Sequence, residues 1–254
     1  MLLAIDIGNT HTVLGLFEAG AWLHHFRIET RVGRTSDELK VLLAGLLGHE
    51  RLSIGKITGG IISSVVPPAT GAAERLLESV VPGKTLVVGP GIKTGMPVLY
   101  DNPKEVGADR IVNSVAAHER FPGGSVVVDF GTATTFDVVT PKGEYLGGII
   151  APGLALSAEA LYRATAKLPR IEIVRPARVI GKNTVASIQS GLVFGYAGMV
   201  DALIGQIREE IDFEPHVIAT GGLGALVARE SKTIQSHDEM LTLNGLRIIY
   251  DRNQ

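Results

Sequence analysis

The sequence predicts an α/β protein that is built from a duplicated unit, with a ligand cleft between the two halves. The first observation is a repeated turn. Segments 4–13 (AIDIGNTHTV) and 127–136 (VVDFGTATTF) each run from an apolar strand through an Asp and a Gly into Thr or Asn. The copies align at three pairs of positions, Asp6 with Asp129, Gly8 with Gly131 and Thr12 with Thr135. The second observation is that each turn belongs to a run of three short strands followed by helices, which favours two tandem α/β units.

In the first half, apolar or alternating runs that end at turn residues predict five strands, at 2–7, 12–18, 21–28, 56–63 and 84–88. The SDEL sequence at Ser36 supplies capping residues for one helix, and Pro67 is a typical first residue for the next. A third helix is predicted over 103–120, because its apolar residues recur at helical spacing.

The second half repeats this order. Strands are predicted at 125–129, 134–140 and 144–150, with a PKG turn before the last of them, and helices at 153–163 and 185–211. A final strand at 215–219 leads into the TGGLG turn at 220–224. The FPGG sequence that begins at Phe121 marks the predicted boundary between domains 1–121 and 122–254.

Bulk composition is that of an ordinary globular protein, with 45% hydrophobic and 20% charged residues. The net charge of −2 gives no basic field for nucleic acid or an anionic membrane. The sequence has no cysteine, which excludes disulfides, thiolate catalysis and Cys-ligated metals. Segment 183–200 is uncharged and nearly long enough to span a bilayer, but Gln189 and several Ser and Gly residues interrupt it, so we expect a buried helix. The N-terminus has no basic flank and no cleavage site, so no signal peptide is expected.

The chemistry of the repeated turn suits a phosphate chain and its cation. Gly8 and Gly131 allow the backbone to approach a phosphate closely, and the N–H and Thr hydroxyl groups that follow can donate to phosphate oxygens. Asp6 and Asp129 are predicted at strand ends, where they offer the hard oxygen ligands that Mg²⁺ or a monovalent cation prefers. A capped β-turn is the alternative interpretation of either copy by itself, because Asp-x-Gly is common in turns. Two copies at matching points of a repeat favour the phosphate site.

A second candidate site is segment 107–110 (GADR), which opens the third helix. Gly107 is less favourable than Ala in a helical start by about 1 kcal/mol, and close approach of a substrate is one explanation for it. Asp109 is a candidate acceptor for the proton of a substrate hydroxyl, and Arg110 is a candidate ligand for an anion. The structural alternative is that Asp109 complements the helix dipole and that Arg110 is solvated.

Other nucleotide and catalytic motifs are weak or absent. The TGGLGA segment at 220–225 lies between a strand and a helix, but Val227 stands where a dinucleotide fingerprint has its third Gly. The GKNT segment at 181–184 lacks the earlier Gly of a P-loop, and Asn183 separates its Lys from the hydroxyl residue. The seven His residues show no metal-ligand spacing, and the sequence contains no Gly-x-Ser-x-Gly motif.

Together, the two turns and the late TGG sequence resemble the phosphate 1, phosphate 2 and adenosine motifs of the acetate and sugar kinase/Hsp70/actin superfamily. Within it, the chain resembles type III pantothenate kinases over about residues 2–224. The segments that carry this resemblance are DIGNT at 6–10, YDNP at 100–103, GADR at 107–110, DFGTATT at 129–135, GGIIAPG at 147–153, TAKLP at 165–169 and NT at 183–184.

The resemblance implies duplicated ribonuclease H-like (actin-like ATPase) domains, with mixed five-stranded sheets flanked by helices. Domain 1–121 would carry the first phosphate motif and the substrate segment. Domain 122–254 would carry the second phosphate motif, the adenosine motif and dimer-forming helices. The implied reaction is the ATP-dependent phosphorylation of pantothenate, the first step of coenzyme A synthesis, in the cytoplasm.

The resemblance also implies the roles of individual residues. ATP would be bound by the first turn and one residue of the second, namely Asp6, Ile7, Gly8, Asn9, Thr10, His11, Thr12, Val13 and Thr132. Pantothenate would be held by Tyr100, Gly107, Ala108, Asp109, Arg110 and Thr184. Asp109 would be the catalytic base, and Arg110 would face the pantothenate carboxylate.

For cations and partners, the resemblance implies Mg²⁺ with ATP, held in part by Asp6, and K⁺ or NH₄⁺ at Asp129. In this family Thr184 reaches the substrate of the partner subunit, so a homodimer is implied. ATP and pantothenate are the other expected partners, and neither nucleic acid nor a membrane is expected.

Two other functions stay open at this point. The first is a regulatory accessory protein of the same fold. The lack of a basic patch or a helix-turn-helix pattern argues against direct DNA binding, and the presence of Asp109 argues against a non-catalytic descendant. The second is a kinase for another small hydroxylated anion, because segment 107–110 favours an anionic substrate without naming it.

Overall fold

Two mixed five-stranded sheets form the framework of the protein, and helices flank each of them. The computed structural model describes every residue from Met1 to Gln254. The chain divides into a first unit, Met1–Met96, Asp101–Ala116 and Thr242–Gln254, and a second unit, Pro97–Tyr100 and Ala117–Leu241. The division expected from the sequence, 1–121 and 122–254, does not include this return of the C-terminus to the first unit.

The first sheet has the strand order β3-β2-β1-β4-β5. Its first three strands form an antiparallel meander, and β4 and β5 extend the sheet in parallel from β1. The strands are β1 (Leu2–Ile7), β2 (His11–Glu18), β3 (Ala21–Glu29), β4 (Gly59–Ser64) and β5 (Thr85–Val87). Helices α1 (Ser36–His49) and α2 (Pro67–Val80) pack their apolar side chains on one face of this sheet.

The second sheet has the same topology, with the order β10-β9-β6-β7-β8. Its strands are β6 (Ser125–Phe130), β7 (Ala133–Val139), β8 (Tyr145–Pro152), β9 (His216–Thr220) and β10 (Ser236–His237). Helices α4 (Leu154–Ala164) and α5 (Thr184–Glu210) contribute to its apolar core, and α6 (Gly224–Ala228) lies between β9 and β10. The identical strand order in the two units confirms the predicted duplication and the predicted mixed sheets.

The remaining two helices are α3 (Ala108–Arg120) and α7 (Leu241–Arg252). Within the first unit, Thr242 of α7 donates its hydroxyl to Asn113 of α3 at 2.7 Å. The indole N–H of Trp22 in β3 donates to Asn244 at 2.8 Å. These two bonds attach α7 to the first unit, far in sequence from the rest of it.

The predicted elements differ from the observed ones in two places within the first unit. The strand predicted at 56–63 is shorter, because Ser53 caps a 3-10 turn at Ile54–Lys56 and β4 begins only at Gly59. The helix predicted over 103–120 is interrupted. Asn102 caps a 3-10 turn at Pro103–Glu105, Val106 is extended, and α3 begins at Ala108.

The two repeated turns differ in length by one residue. The last strand pairs before the turns are Ile7 with Thr12 in the first unit and Phe130 with Thr134 in the second. The predicted equivalence of Thr12 and Thr135 is therefore wrong by one position, and Thr12 corresponds to Thr134. Because neighbouring side chains on a strand point to opposite faces of the sheet, Thr12 lies on the face opposite to Asp6. Thr135, paired with Asp129, shares that residue's face.

Helix α5 is the one helix that is long and apolar enough, by length and composition, to cross a membrane. A third of its most apolar stretch is buried inside the protein. Ala197, Val200 and Ile204 belong to the core of the second unit. The prediction of a buried helix is thus confirmed for one side of α5.

We expect Asp201→Ala to destabilise the second unit. The Asp201 carboxylate on α5 accepts hydrogen bonds from the hydroxyl and backbone N–H groups of Ser231, Lys232 and Thr233, at 2.6–3.1 Å. Burial alone would raise the pKa of this carboxyl, but the hydrogen bonds outweigh burial and hold the pKa below its usual value. Loss of bonds to a charged group costs about 1.5–3 kcal/mol, which thermal unfolding would detect.

The pH dependence follows from the sign of this shift. Because the pKa is lower in the folded than in the unfolded state, the contribution of Asp201 is present at neutral pH and is lost as the pH falls through the folded pKa, below about 4. The difference in stability between wild type and Asp201→Ala should therefore shrink in acid. A difference that stays constant down to the acid limit would contradict this role.

Candidate active site

The first repeated turn lies at the end of β1, where Asp6 is partly buried and residues 9–11 are exposed. The turn is closed by the Gly8 N–H, which donates to the His11 carbonyl at 3.0 Å. β1 and β4 run parallel, and the Val65 N–H that follows β4 donates to the Ile7 carbonyl at 3.1 Å. The two parallel strands therefore bring their carboxyl ends together at this turn.

Thr30, directly after β3, holds the turn from the other side. Its hydroxyl donates to the Gly8 carbonyl at 2.7 Å and lies 2.8 Å from the Thr12 hydroxyl. Its N–H donates to the Thr10 carbonyl at 3.0 Å. The interpretation of the sequence did not include Thr30, because nothing in its local sequence resembles a turn or a ligand motif.

Asp109 lies in the first turn of α3, in the same unit as the Asp6 turn. Its Oδ1 accepts the backbone N–H of Arg110 at 2.8 Å. Burial raises the pKa of the Asp109 carboxyl above its usual value, and the N–H and guanidinium of Arg110 oppose this without cancelling it. A carboxylate that is partly buried and more basic than usual is a typical feature of a catalytic base.

Gly107 is explained by close packing against this carboxylate. A Cβ at position 107 would lie 2.6 Å from Oδ1 of Asp109 and 3.4 Å from a methyl group of Val65. The first distance is too short for any real contact. The sequence suggested that Gly107 allows close approach of a substrate. In the structure, the group that leaves no room for a Cβ at position 107 is the side chain of Asp109.

The face of the first sheet that carries Asp6 has a further polar residue. Ser63 on β4 is paired with Asp6 in the parallel register, is fully buried, and its hydroxyl has no hydrogen-bond partner. A buried hydroxyl without a partner is costly, typically by about 1–3 kcal/mol. Its position beside Asp6 could have been found from the parallel pairing of β1 and β4, which the sequence alone did not fix.

In the second unit, Asp129 lies at the end of β6 and is flanked by two hydroxyl residues. Thr135 on β7 and Thr220 on β9 are its partners across the two strand pairs. Gly221 has a φ of +87°, and a Cβ there would lie 2.6 Å from Oδ1 of Asp129. The TGG sequence thus turns directly over the Asp129 carboxylate, which explains why Gly is needed there.

The other candidate residues of the second unit lie on separate elements. Thr132 is exposed in the second turn, and its carbonyl accepts the Gly153 N–H at 3.1 Å. The ring of Tyr100 lies 6.4 Å from that of Tyr145. Thr184 is exposed at the start of α5, next to a helix cap in which Asn183 accepts the Ala186 N–H at 2.8 Å.

The predicted site residues are therefore divided between the units. The first unit contains both the Asp6 turn and the segment with Gly107, Ala108, Asp109 and Arg110. Asp129, Thr132, Tyr100 and Thr184 belong to the second unit. Asp109 and Arg110 are adjacent in the chain and interact electrostatically, and Arg110 is buried with 7% exposure. Arg110 is therefore not the solvated residue of the structural alternative.

The carboxylate oxygens of this site suit a cation that is bound partly by the protein and partly by the oxygens of a phosphate chain. No group of three or more His, Asp or Glu side chains is arranged to hold a metal by itself. Asp6 and Asp129 each offer one carboxylate at a strand end. Mg²⁺ in nucleotide sites is commonly bound through one or two carboxylates together with phosphate oxygens and water. This is the coordination that a single carboxylate beside a phosphate-binding turn can support.

Comparison with solved structures defines the class of this fold. A Campylobacter jejuni protein described as a Baf family transcriptional activator matches with a TM-score of 0.62, 19% identity and coverage of 99% of this chain and 98% of its own. MreB 5 of Spiroplasma citri bound to AMPPNP matches with a TM-score of 0.57, 9% identity and coverage of 99% and 96%. The fold is that of the actin-like ATPases and related kinases, as the sequence predicted.

Comparison of sequences gives the family within this class. A sequence model described as "Type III pantothenate kinase" matches residues 2–206. A type III pantothenate kinase of Myxococcus xanthus is 57% identical over 253 residues, covering 100% of this chain and 99% of its own. The chain belongs to the type III pantothenate kinase family, which confirms the resemblance drawn from its motifs.

Proposed function

We propose that this protein transfers the γ-phosphoryl group of ATP to the primary hydroxyl of pantothenate, forming 4′-phosphopantothenate in the first step of coenzyme A synthesis. Membership of the family supports this reaction. The single structural observation that carries the proposal is the partly buried Asp109 carboxylate, whose pKa is raised and which belongs to the same unit as the Asp6 turn. A cytoplasmic location is part of the proposal.

The phosphate-binding role is assigned to the first turn. Residues Asp6 to Val13 would contact ATP, and Thr132 would add a hydroxyl. The Thr12 hydroxyl lies 2.8 Å from that of Thr30, and Thr12 as a whole is buried with 7% exposure. A contact between Thr12 and ATP would therefore depend on its backbone rather than its side chain. Asn9, Thr10 and His11 are exposed residues of the turn.

The reaction needs positioning and charge neutralisation, because the transition state of phosphoryl transfer is loose. Asp109 orients the pantothenate hydroxyl and accepts its proton as the new O–P bond forms and the bond from the γ-phosphorus to the β–γ bridging oxygen breaks. ADP leaves with the electron pair of that bond. General-base assistance of this kind contributes about 10²–10⁴ in rate. The raised pKa of Asp109 makes it a better proton acceptor than an ordinary carboxylate.

The anionic end of the substrate is assigned to Arg110. A guanidinium binds a carboxylate through paired N–H donors, so Arg110 suits the carboxylate of pantothenate. Tyr100, Gly107 and Ala108 would line the rest of the pantothenate site. Thr184 would contribute from the partner subunit.

The proposed cations are Mg²⁺ with ATP, held in part by Asp6, and K⁺ or NH₄⁺ at Asp129. When bound, they neutralise charge on the phosphate chain. The hydroxyl residues Thr135 and Thr220 beside Asp129 are compatible with a cation that prefers oxygen ligands.

Turnover should depend on which monovalent cation is present. We expect it to be about tenfold lower in Na⁺ than in K⁺ or NH₄⁺ at equal ionic strength, which corresponds to about 1.4 kcal/mol of transition-state stabilisation. In the Asp129→Asn variant the three salts should give similar rates. Equal rates in all three salts for the wild-type protein would remove Asp129 from this role.

A homodimer is the proposed assembly. The second unit exposes several large apolar side chains near the start of α5 and on α4 and β8, namely Ile150, Leu156, Leu161, Val179, Ile180 and Val185. Burying such residues against a second copy would be favourable, by about 25 cal/mol for each Å² of apolar surface removed from water. No nucleic-acid or membrane partner is part of the proposal.

An ADP-release assay with a panel of hydroxy acids and sugars, including pantothenate, tests the reaction and its alternatives. We expect ADP release that depends on pantothenate. Release with a different hydroxylated anion would favour another small-molecule kinase. No release of ADP with any compound would favour the alternative of a regulatory protein with the same fold.

A further inference from the structure

Thr30 makes three hydrogen bonds to the first turn although it lies outside the segment that is assigned to ATP. Its N–H donates to the Thr10 carbonyl at 3.0 Å, and its hydroxyl lies 2.7 Å from the Gly8 carbonyl and 2.8 Å from the Thr12 hydroxyl. Thr30 thus connects the start and the end of the turn.

The direction of these bonds can be worked out from the chemistry of the groups. A carbonyl oxygen only accepts, so the single proton of the Thr30 hydroxyl goes to Gly8. The Thr12 hydroxyl must then donate to Thr30. The result is a chain from Thr12 through Thr30 to Gly8, in which each bond polarises the next.

The bond to Gly8 also sets the direction of a neighbouring donor. In a planar trans peptide the C=O of Gly8 and the N–H of Asn9 point in opposite directions. Because the carbonyl is held on Thr30, the Asn9 N–H points away from Thr30. Asn9 is an exposed residue, so this part of the turn lies where an anion can approach it. Successive N–H groups held in this way form an anion-binding concavity.

We propose that Thr30 is a positioning residue for the nucleotide: it holds the Gly8–Asn9 peptide in the orientation that binds phosphate, and it thereby sets the affinity for ATP. Thr30 itself does not contact the substrate. The inference rests on the proposed function, because it requires that the first turn binds the phosphates of ATP. Without the bond from Thr30, the Gly8–Asn9 peptide can rotate. Part of the free energy of ATP binding is then used to order this peptide.

Isothermal titration calorimetry with ATP and Mg²⁺ tests this inference on the full-length protein. Thr30→Val keeps the shape of the side chain and removes its hydroxyl, so we expect ATP to bind about three- to tenfold more weakly, as for the loss of one ordinary hydrogen bond. Thr30→Ser keeps the hydroxyl and should restore the wild-type affinity. In steady-state assays the KM for ATP should rise while the KM for pantothenate stays unchanged.

Thr35→Val is the matched control, because the Thr35 hydroxyl caps α1 and does not bond to the turn. It should lower the melting temperature without changing ATP affinity. The inference would be overturned by any of three results. These are wild-type ATP affinity in Thr30→Val, weakened ATP binding in Thr30→Ser, or an equal loss of ATP affinity in Thr35→Val. If the wild-type protein itself does not bind ATP, the proposed function fails together with the inference. Unchanged binding in Thr30→Val alone contradicts only the role of Thr30.

Discussion

Replacing Asp109 with Asn is expected to lower turnover by about 10²–10⁴, the usual contribution of a general base. Asn has nearly the same shape and can still accept the Arg110 N–H at Oδ1, so the start of α3 should stay intact. What the variant loses is the ability to accept the proton of the pantothenate hydroxyl. Single-turnover kinetics with saturating ATP and pantothenate would measure the effect on the chemical step.

The controls for Asp109→Asn separate chemistry from binding and folding. ATP affinity should stay close to that of wild type, since the phosphates are assigned to residues 6–13. Near-wild-type turnover would remove Asp109 from the role of base. Loss of turnover together with loss of ATP binding would indicate a disturbed fold instead.

The raised pKa of Asp109 also predicts an effect on stability. Because burial raises the folded-state pKa above the unfolded value, the proton is bound more tightly in the folded protein. Stability should therefore fall as the pH rises from the unfolded pKa to the folded one, and the cost persists at neutral pH. Asp109→Asn removes this cost and should raise the melting temperature, by about 2–4 °C for each kcal/mol gained.

The raised pKa of Asp109 also predicts the pH dependence of activity. Because the base must be deprotonated, kcat/KM should fall in acid with an apparent pKa above that of an ordinary Asp.

Gly107→Ala is expected to lower turnover by about 10²-fold although residue 107 has no reactive group. The new methyl group would be placed 2.6 Å from Oδ1 of Asp109, so the carboxylate must move. A displacement of about 1 Å at a reacting group can cost this much in rate. Measurement of kcat and both KM values should show the loss mainly in kcat, with the KM for ATP least affected.

Gly45→Ala provides the matched control for this substitution. Gly45 lies in α1, and a Cβ there would have no atom within 4 Å. Replacement of Gly by Ala in an open helical position should stabilise the helix by up to about 1 kcal/mol and leave turnover unchanged. If Gly107→Ala also keeps full turnover, the contact with Asp109 is not important for catalysis.

Much of the fold could be predicted because its signals are local. The strands around each Asp-x-Gly turn are short apolar runs. The predicted start of α1 at Ser36 is correct, although the cap itself is Thr35 in a capping box with Glu38, and Pro67 begins α2. The duplication could be predicted because the same turn occurs twice. The residue-by-residue alignment of the two copies could not be predicted. The one-residue difference in the length of the turns depends on hydrogen bonds such as that from the Gly8 N–H to the His11 carbonyl. Alignment by number therefore paired Thr12 with Thr135 instead of Thr134.

The features that sequence reasoning missed depend on contacts between distant segments. Helix α7 joins the first unit through Thr242 and Asn244, whose partners lie more than 100 residues away. The bonds of Thr30 to the first turn and the position of Ser63 beside Asp6 arise from the pairing of distant strands rather than from a motif. Asp109 could be selected from its motif, but its burial and the contact with Gly107 are properties of the folded chain.

The most direct test of the central claim is to identify the phosphorylated product. The purified protein is incubated with pantothenate, ATP, Mg²⁺ and K⁺, and the mixture is examined by ³¹P nuclear magnetic resonance and mass spectrometry. We expect a phosphate monoester on the primary hydroxyl of pantothenate, formed in equal amount to ADP and nearly absent with Asp109→Asn. Release of inorganic phosphate without a pantothenate ester, or full ester formation by Asp109→Asn, would contradict it.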